Sequence, residues 1–363
     1  MAWVLAAFAL LPATAQAHAR AGSHPRPLLG IGDQKPDMFS DPRFAWLGVR
    51  HVRLVVSWDV MSVPWERAWT DQWLADAHAD GTQPLVAFGH SWYGLNRREL
   101  PSVADYRRAF LAFRARYPWV RDYTPWNEAN HCSQPTCHHP ARAAAYFEVV
   151  HRACPACLVT AADVLDQPNM DGWLRQFLRA LPHGSKPRLW GLHNYLDANR
   201  LRSTGTRRML RTVRGTVWFT ETGGVVHRHH YSNRIGFEES PQHAALATSW
   251  ILRLADSLPR VRRVYLYQWD VTNADTAWDS GLIGPFGIRP AFDVLARARG
   301  RDPKKAPSGQ KPAPPPQQQS PPPQQQSAPP PQQQSSPPPQ QQSSPPPSSS
   351  PPPPSCFLNL LCT

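Results

Sequence analysis

Eight apolar runs rich in β-branched and aromatic residues recur along this chain, each followed by a stretch of helical period. They are Pro27 to Ile31, His51 to Ser57, Pro84 to Phe88, Tyr123 to Asn127, Leu158 to Ala162, Leu189 to Asn194, Thr216 to Glu221 and Val264 to Gln268, with a mean spacing of about 34 residues. Runs of this length and composition read as strands. Behind the third run Ser102 caps a helix on which Val103, Tyr106, Phe110, Phe113 and Tyr117 mark one face. Trp173, Phe177, Leu178 and Leu181 do the same behind the fifth, and Ala245, Trp250, Ile251 and Leu254 fall in a helical stretch behind the seventh. Eight strand-helix units predict an α/β fold of the (β/α)8 TIM-barrel type. A doubly wound sheet would need a glycine-rich first turn leading straight into a helix, and Gly30-Ile31-Gly32-Asp33-Gln34 lacks the third glycine and that helix.

The barrel accounts for residues 27–300 and leaves two segments of other character. Of the 42 prolines, 22 fall between Pro303 and Pro354, where Pro-Pro-Pro-Gln-Gln-Gln-Ser repeats with small variations. This composition has nothing to bury and favours polyproline II, so residues 303–355 are expected to form a disordered spacer with a reach on the order of 150 Å. Residues 356–363 follow as a short apolar tail flanked by Cys356 and Cys362, either a tag for cell-wall or surface attachment or a frayed end. At the other end, residues 1–17 join an apolar run to Ala15-Gln16-Ala17, the small-x-small pattern of a signal-peptide cleavage site, although no Lys or Arg precedes the run. The expectation is a secreted or cell-surface protein, monomeric, with no membrane span after signal cleavage.

The net charge of +13 rests on scattered arginines, only five of the 39 basic residues being lysine. No basic stripe interleaved with aromatics appears, which argues against nucleic acid and leaves attraction to anionic surfaces or polymers. Six cysteines in an exported chain favour disulfides, with local pairing among Cys132, Cys137, Cys154 and Cys157, and Cys356 pairing with Cys362. The alternative is a zinc site of Cys132, Cys137, His138 and His139, which requires two adjacent histidines on one ion. His227, His229 and His230 read as a solvated loop. Neither a metal nor a cofactor is expected.

A barrel presents its reactive groups at the C-terminal ends of its strands. The fourth run ends Thr124-Pro125-Trp126-Asn127-Glu128, and the seventh ends Trp218-Phe219-Thr220-Glu221; the two glutamates are 93 residues apart, about three repeats, and so face each other across the mouth. Trp126-Asn127-Glu128 and Thr220-Glu221 resemble the two signature sites of glycoside hydrolase clan A, whose members are retaining β-glycosidases on a (β/α)8 barrel. His193-Asn194-Tyr195 resembles the clan's His-x-Tyr, and Trp269 its sugar-platform tryptophan. Gly281-Leu282-Ile283-Gly284 and Arg289-Pro290-Ala291-Phe292 resemble the segment leading into its last helix. The resemblance covers Leu28 to Leu295 and singles out no one family within the clan. It implies that Glu128 is the general acid/base, Glu221 the nucleophile and Asn127 a partner of the sugar 2-hydroxyl, with a β-linked polysaccharide or oligosaccharide as substrate.

Elementary chemistry points the same way. Displacement at an anomeric carbon needs a protonated carboxyl on the leaving oxygen and an ionised one on the opposite face, and a gap of ~5–5.5 Å gives retention through a covalent intermediate. Like charges that close push their pKa values apart. Tyr195 is placed to donate to Glu221, His193 to line the sugar site, and Arg53 to supply a cation near the nucleophile or to pair with a structural acid. Trp92, in His90-Ser91-Trp92-Tyr93, is either a substrate rim or loop packing; Asp59 and Asp270 either bind hydroxyls or cap the segments that follow. Trp58, Trp65, Trp69, Trp92, Trp126, Trp269 and Trp278 are candidates for stacking on sugar, whereas Trp73, Trp173 and Trp250 read as core. Two rival functions are a catalytically silent barrel that binds cell-wall glycans and a metal-dependent hydrolase built on the Cys/His-rich loop after Glu128.

Overall fold

The computed structural model describes residues 24–92, 98–228, 236–273 and 276–309. The leader, the repeats beyond 309, the Cys-flanked tail, Tyr93, His229 and His230 lie outside the described residues.

The first ten strands are β1 (Leu28–Gly32), β2 (His51–Ser57), β3 (Gln83–Gly89), β4 (Asp122–Thr124), β5 (Leu158–Val159), β6 (Asp163–Leu165), β7 (Leu189–His193), β8 (Thr216–Thr222), β9 (His227–Arg228) and β10 (Val261–Tyr267), and three two-residue strands follow. Between them run α1 (Pro42–Leu47), α2 (Pro64–Ala79), α3 (Val103–Arg116), α4 (Pro140–Ala153), α5 (Met170–Ala180), α6 (Tyr195–Asn199), α7 (Thr204–Thr212) and α8 (Pro241–Asp256), and α9 (Pro290–Ala298) follows the last strand. Of these ten, all but β9 belong to one parallel sheet in the order β5-β4-β3-β2-β1-β10-β8-β7-β6, while β9 pairs with Trp278–Asp279 and Ile283–Gly284 pairs with Gly287–Ile288, both antiparallel. Its two ends are halves of one stretch. Thr160 N donates to Tyr123 O on the β4 side, and the next residue, Ala161, donates to Leu189 O on the β7 side. The fifth strand thus changes partner in mid-course and closes the ring, giving the TIM barrel, and it extends to Leu165, past the expected end at Ala162.

Alternation along the strands divides two cores. Val52, Leu54 and Val56 of β2, with Val264 and Leu266 of β10, pack outward against the helices. Arg53 faces the other way, and so do Arg263 and Tyr265. Inside the barrel Tyr265 meets Leu85 and Trp218, while the Arg263 guanidinium lies 3.9 Å over the Trp218 ring and donates to Asp122 and to the Tyr265 hydroxyl. Only glycine fits at position 30, where a Cβ would come within 2.6 Å of the Tyr265 ring and 2.8 Å of the His51 carbonyl.

The helices follow their periodicity. Ser102 accepts from Asp105 N to cap α3, whose buried face is Tyr106, Phe110 and Phe113, with Val103 at its exposed edge. Cys132 is joined to Cys137 and Cys154 to Cys157; with those thiols bonded to each other, the zinc alternative loses its sulfur ligands. No helix among the described residues is long and apolar enough to cross a membrane.

Candidate active site

Strand polarity brings the ends of β2, β4, β6, β7 and β8 to one mouth, and Arg53 joins them. Its Nη1 donates to Glu221 Oε2 at 2.6 Å, and its Nη2 donates to Asn127 Oδ1 at 2.5 Å and to Asp163 Oδ2 at 3.1 Å. Glu221, next to last in β8, is held at its other oxygen by the Tyr195 hydroxyl, which donates to Oε1 at 3.0 Å from the first residue of α6. Glu128 sits in the turn after β4. That turn is fixed on both sides, Asn127 N donating to Phe88 O and Ala129 N to Asp163 O, and the Glu128 backbone takes a left-handed φ of 48°. His193, the last residue of β7, lies between the glutamates: its Nδ1 is 3.0 Å from Glu128 Oε1 and 3.8 Å from Glu221 Oε2. One oxygen of each carboxylate and a ring nitrogen of His193 all fall within 4.8 Å of one another.

A further carboxylate, missed in the sequence, completes the group. Asp163 has no exposed surface; its Oδ2 accepts from Arg53 and lies 3.1 Å from His193 Nε2, and its Oδ1 accepts from the Thr220 hydroxyl. Gly191 makes room for it, since a Cβ there would run into Asp163 Oδ1 and stand 2.8 Å from Thr220 Oγ1.

Burial sets the electrostatics. Removal from water pushes the Glu128 carboxyl up to about 7, against the pull of His193. Burial disfavours a charge on His193 as well, but Asp163 and Glu221 outweigh it and lift the imidazole to about 10. Asp163 would likewise be raised by burial, yet His193 and Arg53 hold it below the ordinary carboxylate range. Burial and charge therefore favour a protonated Glu128, a charged His193 beside the Arg53 cation, and an ionised Asp163. The donor atoms of Glu128, His193 and Glu221 are close enough for a metal ion, but Arg53 occupies one face of Glu221 and both ring nitrogens of His193 are already engaged.

No family model matches the chain, and no curated protein matches it. Solved structures do. GH5_18 from Streptomyces cattleya in complex with GlcNAc superposes with a TM-score of 0.53 at 17% identity, covering 79% of this chain and 83% of that one. A single-substitution variant of that protein in complex with Manβ1-4GlcNAc gives a TM-score of 0.54 at 17% identity over 78% and 83%. Native xylanase 10B from Thermotoga maritima gives 0.52 at 11% identity over 75% and 95%. The chain shares the fold of these solved structures.

Within that fold the remaining candidates take up varied positions. Trp269 is 1% exposed and packs edge-on to Phe44 and Phe292, so the expected platform lies in the outer core among α1 and α9. Trp126 is also core, stacked on Tyr146 with its indole N–H given to Gln134. Trp278 packs edge-on to Tyr195 and walls the Glu221 side. Trp92 is half-buried after β3, its backbone N–H donating to Ser57 Oγ. Beside it Trp58 Nε1 and Asp59 Oδ1 are buried with no hydrogen-bond partner among the described residues, and Asp59 Oδ2 accepts from Ser91. Asp270 is paired with Lys35, which also reaches Asp33. Trp65 and Trp69, one turn apart at the start of α2, are 53% and 45% exposed, with the Trp69 N–H fixed on Gln34 O. His227 is paired with Glu239.

Proposed function

We propose that this protein is a secreted retaining glycoside hydrolase that cleaves β-glycosidic bonds in a polysaccharide or oligosaccharide by double displacement. The observation that carries the reading is the meeting of Glu128 and Glu221 at His193, with oxygens of the two carboxylates within 4.8 Å, in keeping with the short gap of retaining catalysis. Glu221, fixed by Arg53 and Tyr195, is oriented to attack the anomeric carbon. Glu128, whose buried carboxyl keeps its proton to about 7, gives that proton to the leaving oxygen. It then takes a proton from the water that releases the sugar from Glu221. Asn127, its carbonyl oxygen held by Arg53, has its amide N–H groups left for a sugar hydroxyl. Trp92, with the unpartnered Trp58 Nε1 and Asp59 Oδ1, supplies a candidate rim, and the solved structures with bound GlcNAc and Manβ1-4GlcNAc support a glycan as ligand.

Export is supported by the signal-like leader and by the two disulfides. The Pro/Gln/Ser repeats would then hold a monomeric barrel off a cell wall or surface. Replacing Glu221 by Ala should abolish hydrolysis of an aryl β-glycoside, and azide should restore turnover by entering the vacated space. Undiminished activity in that variant would reject the assignment. A catalytically silent glycan binder predicts binding with no product in either protein.

A further inference from the structure

We infer that Asp163 is a positioning residue for this reaction: it keeps His193 doubly protonated, so that one fixed imidazolium stands between the two carboxylates through both halves of the double displacement. The inference rests on the glycosidase reading above.

The geometry carries it. The two protons of Arg53 Nη2 are directed to Asn127 Oδ1 and Asp163 Oδ2, so the Nη2 to His193 Nε2 approach of 3.2 Å is not a donation, and His193 Nε2–H is directed to Asp163 Oδ2. Nδ1 then faces Glu128 Oε1 at 3.0 Å and Glu221 Oε2 at 3.8 Å. Were His193 neutral with its proton on Nε2, the Nδ1 lone pair would accept the acid's proton and withdraw it from the leaving group. With both nitrogens protonated, Nδ1–H donates to Oε1, and the proton of Glu128 is left on Oε2. The groups facing His193 are Arg53 from β2, Glu128 from the turn after β4, Asp163 from β6 and Glu221 from β8, with Tyr195 of α6 against Glu221.

Charge balances at each stage. Before reaction Arg53 and His193 are positive, Asp163 and Glu221 negative, and Glu128 neutral. As a Glu221 oxygen bonds to the anomeric carbon, the bond from that carbon to the leaving oxygen breaks and the leaving oxygen takes the proton of Glu128. The negative charge has then passed from Glu221 to Glu128, both neighbours of the same N–H. Hydrolysis of the intermediate by water passes it back. A neutral His193 would leave the group one negative charge in excess throughout. Gly191, which admits the Asp163 carboxylate between β6 and β8, is a second feature that serves this placement.

The test uses the full chain labelled with 15N-histidine, His193 being assigned by its absence from His193→Gln. At pH 8 both ring nitrogens of His193 should carry protons, and Asp163→Asn should lose one of them. In that variant kcat on an aryl β-glycoside should fall at least about tenfold with KM within about twofold. The alkaline limb of its pH profile should move upward, because the cation that lowers the Glu128 pKa is gone. A merely structural aspartate would lower the melting temperature without moving that limb. Thr220→Val, which retains the carboxylate, should retain the doubly protonated ring. A singly protonated His193 in the unmodified protein overturns the proposal even if Asp163→Asn does not fold, as does a variant spectrum or pH limb that stays in place. Should the unmodified chain hydrolyse no glycoside, the reading of function fails, and the spectra alone uphold or overturn the claim on His193.

Discussion

Arg53 and Glu221 lie 168 residues apart in the chain and 2.6 Å apart in the folded protein, with side chains 1% and 6% exposed. Arg53→Met removes the cation shared by Glu221 and Asp163 and leaves both carboxylates buried without it. Stability should fall by about 3–5 kcal/mol, read by chemical denaturation, and kcat/KM should fall by on the order of a hundredfold or more. Arg53→Lys, which restores the charge without the planar fork, should recover only part of either loss.

Glu128 predicts the pH dependence. With its folded pKa at about 7, activity that needs its proton should decline on the alkaline side with a midpoint near 7. The sign for stability is the same: the folded state binds this proton more tightly than the unfolded chain does, so the contribution is complete below the ordinary glutamate range and is lost as pH rises to about 7. Glu128→Gln should remove both the alkaline limb of the rate on substrates with poor leaving groups and that slope of stability. Rate profiles and denaturation at several pH values check the pair.

Tyr195→Phe deletes one hydrogen bond to a carboxylate and leaves the ring packed on Trp278. A bond to a charged group contributes about 1.5–3 kcal/mol, so kcat/KM should drop roughly ten- to hundredfold while the melting temperature moves little.

Gly191→Ala tests the room that Asp163 occupies. The added methyl collides with the Asp163 carboxylate in the barrel interior, and overpacking of this kind costs about 1–3 kcal/mol. The melting temperature and kcat should fall together, although position 191 has no chemistry of its own.

Reductant and chelator should act differently. Opening the loops closed by Cys132–Cys137 and Cys154–Cys157 should cost up to about 2 kcal/mol each and lower the melting temperature, while a chelator should leave it unchanged. Thermal scans with each reagent decide the matter.

The barrel was legible because strands buried between helices and interior must be apolar, and because helices must repeat at 3.6; both signals survive in single runs such as His51 to Ser57 and Val103 to Tyr117. Glu128 and Glu221 were legible through their place at strand ends. Asp163 was not. Ala161-Ala162-Asp163-Val164-Leu165-Asp166 carries two acids in six residues, which reads as the end of a strand, whereas the chain continues in the sheet with a new partner. The inner floor of Arg263, Asp122 and Trp218 was hidden for a related reason: buried charges pair across the ring with residues far away in sequence. Trp269 illustrates the converse, since a strand-end tryptophan fits a sugar platform or a core equally well, and only the packing of α1 and α9 distinguishes them.

The left-handed backbone at Glu128 sets two demands on one position. That conformation suits glycine or asparagine and costs a glutamate on the order of 1 kcal/mol, a cost that the proposed acid/base role would offset. On the proposed function, a copy of this gene released from selection for that chemistry would gain stability by exchanging the acid for glycine or asparagine, and codon 128 is where the release would be inscribed first.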